Sequence, residues 1–179
     1  MMNRSTSGVL RFRYLRASEV DELAELWQTL HRHHVASTPH LEDMITPVSE
    51  DESWRRRRRH YAAWLAEPDT LAILAERDDA KLGYAMVTTQ QDRRGSWSRG
   101  DRVATLQTLT VHPDYRRQGI GSALLEEVRR QLGAAGISDL ELAAVSGNEA
   151  AMRFYEREGF RPFVTTLVTR LGSAAGPHD

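Results

Sequence analysis

VATLQTLTVHPDYRRQGIGSALLEEVRRQL, residues 103–132, decides the fold. Its opening is Thr, Leu and Val throughout, which predicts a strand over residues 103–112 with Val103, Thr105, Gln107, Leu109 and Val111 on one face. Pro113 and Asp114 stop that strand, because proline has no N–H to give to a ladder. Beyond the turn, Ile120, Leu124, Val128 and Leu132 recur on one helical stripe, with Glu126, Glu127, Arg129 and Arg130 largely off it. Between strand and helix stands Arg116-Arg117-Gln118-Gly119-Ile120-Gly121, followed by Ser122. Glycine lets the backbone turn tightly and approach a ligand closely. The unpaired N–H groups of the first helical turn then face that ligand beside two guanidinium groups. In physical terms this is a site for a diphosphate.

Three motifs compete for the loop. A P-loop needs GxxxxGK[ST], and no lysine follows these glycines. A dinucleotide fingerprint needs GxGxxG, but its third glycine would fall at Leu124. The pattern that remains is [RQ]xxGx[GA] after a strand and before a long amphipathic helix. It resembles the pyrophosphate loop of the GNAT superfamily of acyl-CoA N-acyltransferases. Taken alone, the loop also reads as an ordinary strand–helix turn with incidental glycines.

Composition sets the outer limits. The chain has 179 residues, 40% of them hydrophobic and 27% charged, with a formal net charge of −1, which is ordinary for one globular domain with a sizeable core. No basic excess points to nucleic acid. No apolar run has membrane length and no signal-peptide core follows the start, so the expected location is cytoplasmic, with no membrane partner. The absence of cysteine removes disulfides, thiolate metal sites and a cysteine acyl-enzyme.

In chain order, residues 1–8 are polar and expected to be flexible, as is the tail 172–179. A single domain spans residues 9–171. Residues 9–15 alternate as a first strand. Ser18 with Asp21 offers a helix cap, and Val20, Leu23, Trp27, Leu30 and His34 form the stripe of a helix to residue 35. Ser49 with Glu52 opens a second helix to residue 66, with Trp54, Tyr61, Trp64 and Leu65 inward. Residues 71–76 and 82–89 read as a hairpin, and 91–101 as a polar loop. After the central unit come a strand at 137–145, a short helix from Asn148 to residue 158, and a last strand at 160–171.

The order β-α-α-β-β-β-α-β-α-β is the GNAT order. A second segment, SGNEAAMRFYEREGFR at residues 146–161, is similar to the family's N-x-x-A-x-x-[FL]-Y-x-x-x-G-F motif, with Asn148, Ala151, Phe154, Tyr155, Gly159 and Phe160 in place. The resemblance covers nearly all of the chain. It implies an α+β GNAT fold with a mixed central sheet of six to seven strands and about four helices.

The resemblance also implies an acetyl-CoA-dependent N-acetyltransferase acting by direct attack of an amine in a ternary complex. Acetyl-CoA would be the co-substrate, with no metal. The strands at 103–112 and 137–145 would diverge, with a bulge in the first. The pantetheine arm would enter as an added strand on backbone groups of Leu109, Thr110 and Val111, with an oxyanion-stabilising N–H near Leu109. Arg116, Arg117, Gln118, Gly119, Ile120, Gly121 and Ser122 would hold the pyrophosphate. Asn148 would hydrogen-bond the arm, and Tyr155 would protonate the departing thiolate.

One position departs from many relatives. They carry Glu where this chain has Gln107, which cannot accept a proton at neutral pH but can position a water or an amine. The base is then water, another residue such as His31, His34 or His112, or is made unnecessary by an amine of low pKa. The acceptor is a small-molecule or peptide amine, bound between the two N-terminal helices and the loops 38–47 and 91–101. The rival from another class is a non-catalytic acyl-CoA-binding module.

Other features read as ordinary surface. The run Arg55–Arg59 has Arg55, Arg56 and Arg59 mainly outward and is a solvated face, or the rim for an anionic substrate. His31 and His34 share a face but lack a third metal ligand, unless Glu42 or Asp43 folds back. Trp97 in a loop without other apolar anchors reads as a lid or a subunit contact, the latter compatible with a homodimer.

Overall fold

The structure, a computed structural model, describes residues 8–91 and 95–171. The expected flexible ends therefore lie outside the described residues, apart from Gly8. One sheet has the order β1-β2-β3-β4-β5. Its strands are β1 (Arg11–Tyr14), β2 (Leu71–Arg77), β3 (Ala80–Gln91), β4 (Arg102–Val111) and β5 (Asp139–Leu142). The first four pair antiparallel and β5 joins β4 in parallel, so the sheet is mixed. Four α-helices accompany it: α1 (Ala24–Ala36), α2 (Glu50–Leu65), α3 (Ile120–Ala134) and α4 (Glu149–Arg157).

Local chemistry sets the element ends. Ser49 accepts a hydrogen bond from the Glu52 N–H at 3.2 Å and starts α2 as expected. The expected cap at Ser18 does not form. Glu19 accepts from the Arg16 N–H at 2.9 Å, and a 3₁₀ turn (Ala17–Leu23) leads into α1 while Asp21 pairs with Arg58. A longer carboxylate one residue on outcompetes the serine. Asp78 and Asp79, with φ of 48° and 65°, make the two-residue turn between β2 and β3, whose left-handed pair matches strand twist.

The sheet separates two cores. Ile73, Ala75, Leu82, Ala85, Val87, Ala104 and Leu106 lie under Ile120, Leu124, Leu125 and Val128 of α3. On the other face Ala72, Leu74, Tyr84 and Met86 meet Trp27 and Leu30 of α1 and Trp54 and Tyr61 of α2. Among the described residues no helix is long and apolar enough to cross a membrane.

The sheet has five strands rather than six to seven. Residues 160–171 run without a ladder, and the fifth strand shrinks from 137–145 to Asp139–Leu142. Val164, Thr165, Thr166, Val168 and Thr169 give the last segment strand composition, but a strand also needs a backbone neighbour. Phe160 is held to α4 by its N–H to the Tyr155 carbonyl. Past Pro162 the side chains turn out, with Leu167 88% exposed.

Candidate functional site

β4 is irregular where the site must be. Leu106 lies opposite Val87 and Thr108 opposite Met86, so Gln107 is an extra residue with no partner, a β-bulge. The extra residue breaks the single face expected for Val103 to Val111. Ala104 and Leu106 face α3 before the bulge, and Leu109 and Val111 face it after. At the same place β4 loses β5, since the last parallel pair is Leu106 with Leu142. Among the described residues, no strand lies beside one edge of β4 from Gln107 to Val111, which is the geometry for an added strand.

The loop follows directly. Arg117 and Gly119 are left-handed, with φ of 62° and 75°, and curl the chain into α3 at Ile120. No side chain caps α3 and no acidic residue occupies its first turn. Its N–H groups and the positive end of its dipole are thus left for an external anion. Arg116 donates from Nε to the Val111 carbonyl at 3.2 Å, tying the loop to the end of β4. Gln118 accepts from Arg77 at 3.2 Å. Ile120 is buried in the α3 core.

Two residues at the start of α3 lie beside α4 and its end. Ser122 donates to Glu158 at 2.5 Å. A Cβ at Gly121 would lie 3.4 Å from the Phe154 ring, an ordinary van der Waals contact, so α4 packs close to this glycine.

α4 closes the open end. Asn148 is buried and its Oδ1 accepts from the Ala151 N–H at 3.2 Å, capping the helix. The cap uses Oδ1 alone and leaves the Nδ2 hydrogens out of it. Tyr155 packs edge-on between Phe154 and Phe160, at ring distances of 5.3 and 5.6 Å. Burial pushes its phenol up to about 12, so it is protonated at neutral pH. Just ahead of α4, a Cβ at Gly147 would lie 1.9 Å from the Ser37 carbonyl oxygen, so only glycine lets α4 begin against the end of α1.

The opposite face of β4 carries a different group. Gln107 donates from Nε2 to Thr88 Oγ1 at 2.8 Å, which orients its amide and turns Oε1 into a free acceptor. Tyr61 shares hydrogen bonds with Thr108 at 2.6 Å and Tyr84 at 2.9 Å, all three buried. Arg57 lies over Trp27 at 4.2 Å and close to Tyr61 at 5.7 Å. The spacing of 54, 57 and 61 already put Arg57 on the inner stripe of the arginine run, a signal hidden by reading the run as one surface.

Among the histidines, His31 Nε2 is 2.9 Å from the Val48 carbonyl and must carry its proton there. Burial, then His33, Arg57 and His31, lowers His34 to about 4, so it is neutral and a weak base. His112 turns back to accept from the Asp114 N–H.

Residues 95–101 of the polar loop carry an ionic anchor that a search for apolar residues does not find. Arg99, 12% exposed, meets Asp139 at 3.0 Å and Glu141 at 2.6 Å on β5. Trp97 is 57% exposed and touches Phe163 edge-on. Residues 92–94 lie outside the described residues. A cleft of about 370 Å³ opens at the other end of β5, among Leu132, Ile137, Leu140 and Phe160, and does not reach Gln107 or Tyr155.

Known proteins are similar to this chain in sequence and in fold. The chain is 46% identical over 57 residues to the [ribosomal protein bS18]-alanine N-acetyltransferase of Escherichia coli K12, a match spanning 32% of this chain and 38% of that relative. It is 28% identical over 124 residues to N-alpha-acetyltransferase 30 of Schizosaccharomyces pombe, covering 69% of this chain and 79% of the relative. A GCN5-related N-acetyltransferase from Ralstonia eutropha JMP134 superposes with a TM-score of 0.71 at 17% identity, over 92% of this chain and all of that one. The aminoglycoside N-acetyltransferase AAC(6')-Iy, solved with CoA, superposes at 0.67 and 15% identity, over 96% of this chain and all of that one. The sequence profile of the acetyltransferase (GNAT) family matches residues 25–160, and the chain belongs to that family.

Proposed function

We propose that the protein transfers an acetyl group from acetyl-CoA to a primary amine by direct attack in a ternary complex. The observation that carries this reading is one of place. The unpaired edge of β4 begins at the bulge and leads to an uncapped, acid-free helix N-terminus. An extended arm ending in a diphosphate fits that sequence of backbone groups. Acetyl-CoA supplies the activated carbonyl and its thiol leaving group.

The chain's own groups then divide the work. Backbone groups of Leu109, Thr110 and Val111 hold the arm, with Asn148 Nδ2 as a second donor. The backbone of residues 116–122, with the charges of Arg116 and Arg117, holds the phosphates. Tyr155 is protonated at neutral pH and gives its proton from Oη to the departing sulfur. The transfer is uphill, from a phenol raised to about 12 to a thiol of ordinary pKa ~8.5, and it spares the site a bare thiolate; the tyrosinate then recovers a proton from water. Gln107 Oε1 accepts a hydrogen bond from the amine or from a water. It orients the nucleophile without taking the proton, which leaves through water. The acceptor is a small-molecule or peptide amine. The relatives' own acceptors, by name, are an alanine of ribosomal protein bS18 and an aminoglycoside.

A second reading, a non-catalytic acyl-CoA-binding module, draws on Gln107 standing where a carboxylate base is common. Acetyl-CoA turnover against a panel of peptide and small-molecule amines separates the two. Tyr155→Phe should lower kcat by about 100-fold with little change in KM for acetyl-CoA, the range for acid catalysis. Wild-type kcat in that variant, with chemistry shown to be rate-limiting, removes Tyr155 from the mechanism. CoA binding without turnover of any amine leaves the binding module.

A further inference from the structure

Arg77 ends β2, beside the αL turn of the phosphate loop, and its charge is unanswered. Its Nη1 donates to Gln118 Oε1 at 3.2 Å. Its Nε is buried with no acceptor. Among the described residues no carboxylate ion-pairs with it, although Asp78 and Asp79 follow in sequence. The Asp78 carboxyl is turned the other way, against Gly8, where a Cβ would come within 2.1 Å of it. Arg13 and Lys81, on the strands either side, are by contrast paired with glutamates.

A buried donor left unmade is more unfavourable than a made hydrogen bond is favourable. The guanidinium is thus held at the loop by Gln118 in a pose that wastes its best geometry. Nε and Nη2 form the planar fork that matches two oxygens of a phosphate. Rotation about the terminal torsions turns that fork toward the loop while Gln118 keeps the group in reach.

We propose that Arg77 is a phosphate-binding residue of the nucleotide site, a third guanidinium beside Arg116 and Arg117. The proposal rests on the acetyl-CoA reading above and adds a residue from outside both sequence motifs. The phosphate is either the diphosphate or the 3′-phosphate of CoA, and one experiment separates them.

Equilibrium binding of CoA and of dephospho-CoA is measured for wild type, Arg77→Gln, Arg77→Lys, Gln118→Ala and Arg77→Gln made in the Gln118→Ala protein, with melting temperature as a check on folding. Arg77→Gln should weaken CoA by about 10-fold or more, the loss of a charged hydrogen-bonded pair. Equal loss for dephospho-CoA assigns the contact to the diphosphate, and loss for CoA alone assigns it to the 3′-phosphate. Arg77→Lys, which keeps the charge and loses the fork, should fall between, and decides the matter if Arg77→Gln does not fold. Unchanged affinity in a folded variant overturns the proposal. So does an Arg77→Gln change that costs nothing further when made in the Gln118→Ala protein, because Arg77 would then act only by propping the loop. Wild type that binds neither compound overturns the acetyltransferase reading itself.

Discussion

Beneath α3 the sheet presents Ile73, Ala85, Val87 and Leu106; beneath α1 and α2 it presents Tyr84, Met86 and the hydroxyl of Thr108. The first face is aliphatic and bears against an aliphatic helix. The second meets three aromatic rings, with Trp27 and Trp54 edge-on to Tyr61 at 6.2 and 6.3 Å. On the acetyltransferase reading proposed above, the contrast follows from what each side would meet. A constant ligand can be gripped by backbone groups, which need only a well-packed support that fixes their spacing. An acceptor that varies between relatives would have to be met by side chains of the two N-terminal helices, which the buried cluster of Tyr61, Tyr84 and Thr108 ties to the sheet.

Three substitutions test that division. The largest effect is expected at the junction. Gly147→Val would drive a side chain into the Ser37 carbonyl, where α4 meets the end of α1. It should reduce unfolding free energy in urea by about 3 kcal/mol, the upper range for overpacking, and reduce turnover as well. Stability within error of wild type would mean that the two sides are not joined there.

A smaller effect is expected inside the aromatic face. Tyr61→Phe keeps the ring contacts but removes the hydroxyl shared by Thr108 and Tyr84, at a loss of about 1–2 kcal/mol. CoA affinity should not change, and a parallel loss of CoA binding would show that the two faces act as one.

The smallest effect at neutral pH belongs to His34→Gln. Folding holds the imidazole near 4 instead of 6.5, so between those values the unfolded chain takes up a proton that the folded one refuses. The stabilisation is therefore complete above pH 6.5 and is lost as the pH falls toward 4. Removing the imidazole should flatten the fall in stability over that window, by at most about 1.4 kcal/mol per pH unit. Identical slopes for wild type and variant would place His34 in contact with solvent.

The same division governs what the sequence discloses. The loop from Arg116 to Gly121 and the stripe of α3 were legible because short-range spacing alone determines them. The stripe Val20, Leu23, Trp27 and Leu30 was legible for the same reason. The bulge was implied by the family resemblance but could not be placed by alternation, which assumes that every residue has a ladder partner, and Gln107 has none. Residues 160–171 show the converse error, since their strand composition does not guarantee a neighbouring edge. Arg99 was missed as an anchor because the loop was searched for apolar residues, while its hold on β5 is through carboxylates. Arg77 and Gln118 are 41 positions apart, and only the packing of α3 across β2 brings them together.

The bulge at Gln107 bears on how such a protein tolerates change. A chain lacking that one residue would set Leu106 and Thr108 side by side, opposite Val87 and Met86, and the ladder between β3 and β4 would run unbroken. Regular pairing favours the folded state, so the shortened protein should melt higher. It should also bind CoA poorly, since the kink that turns β4 away from β5 would be gone. Selection for heat resistance alone would thus drive this chain toward a tidier sheet and an inert protein.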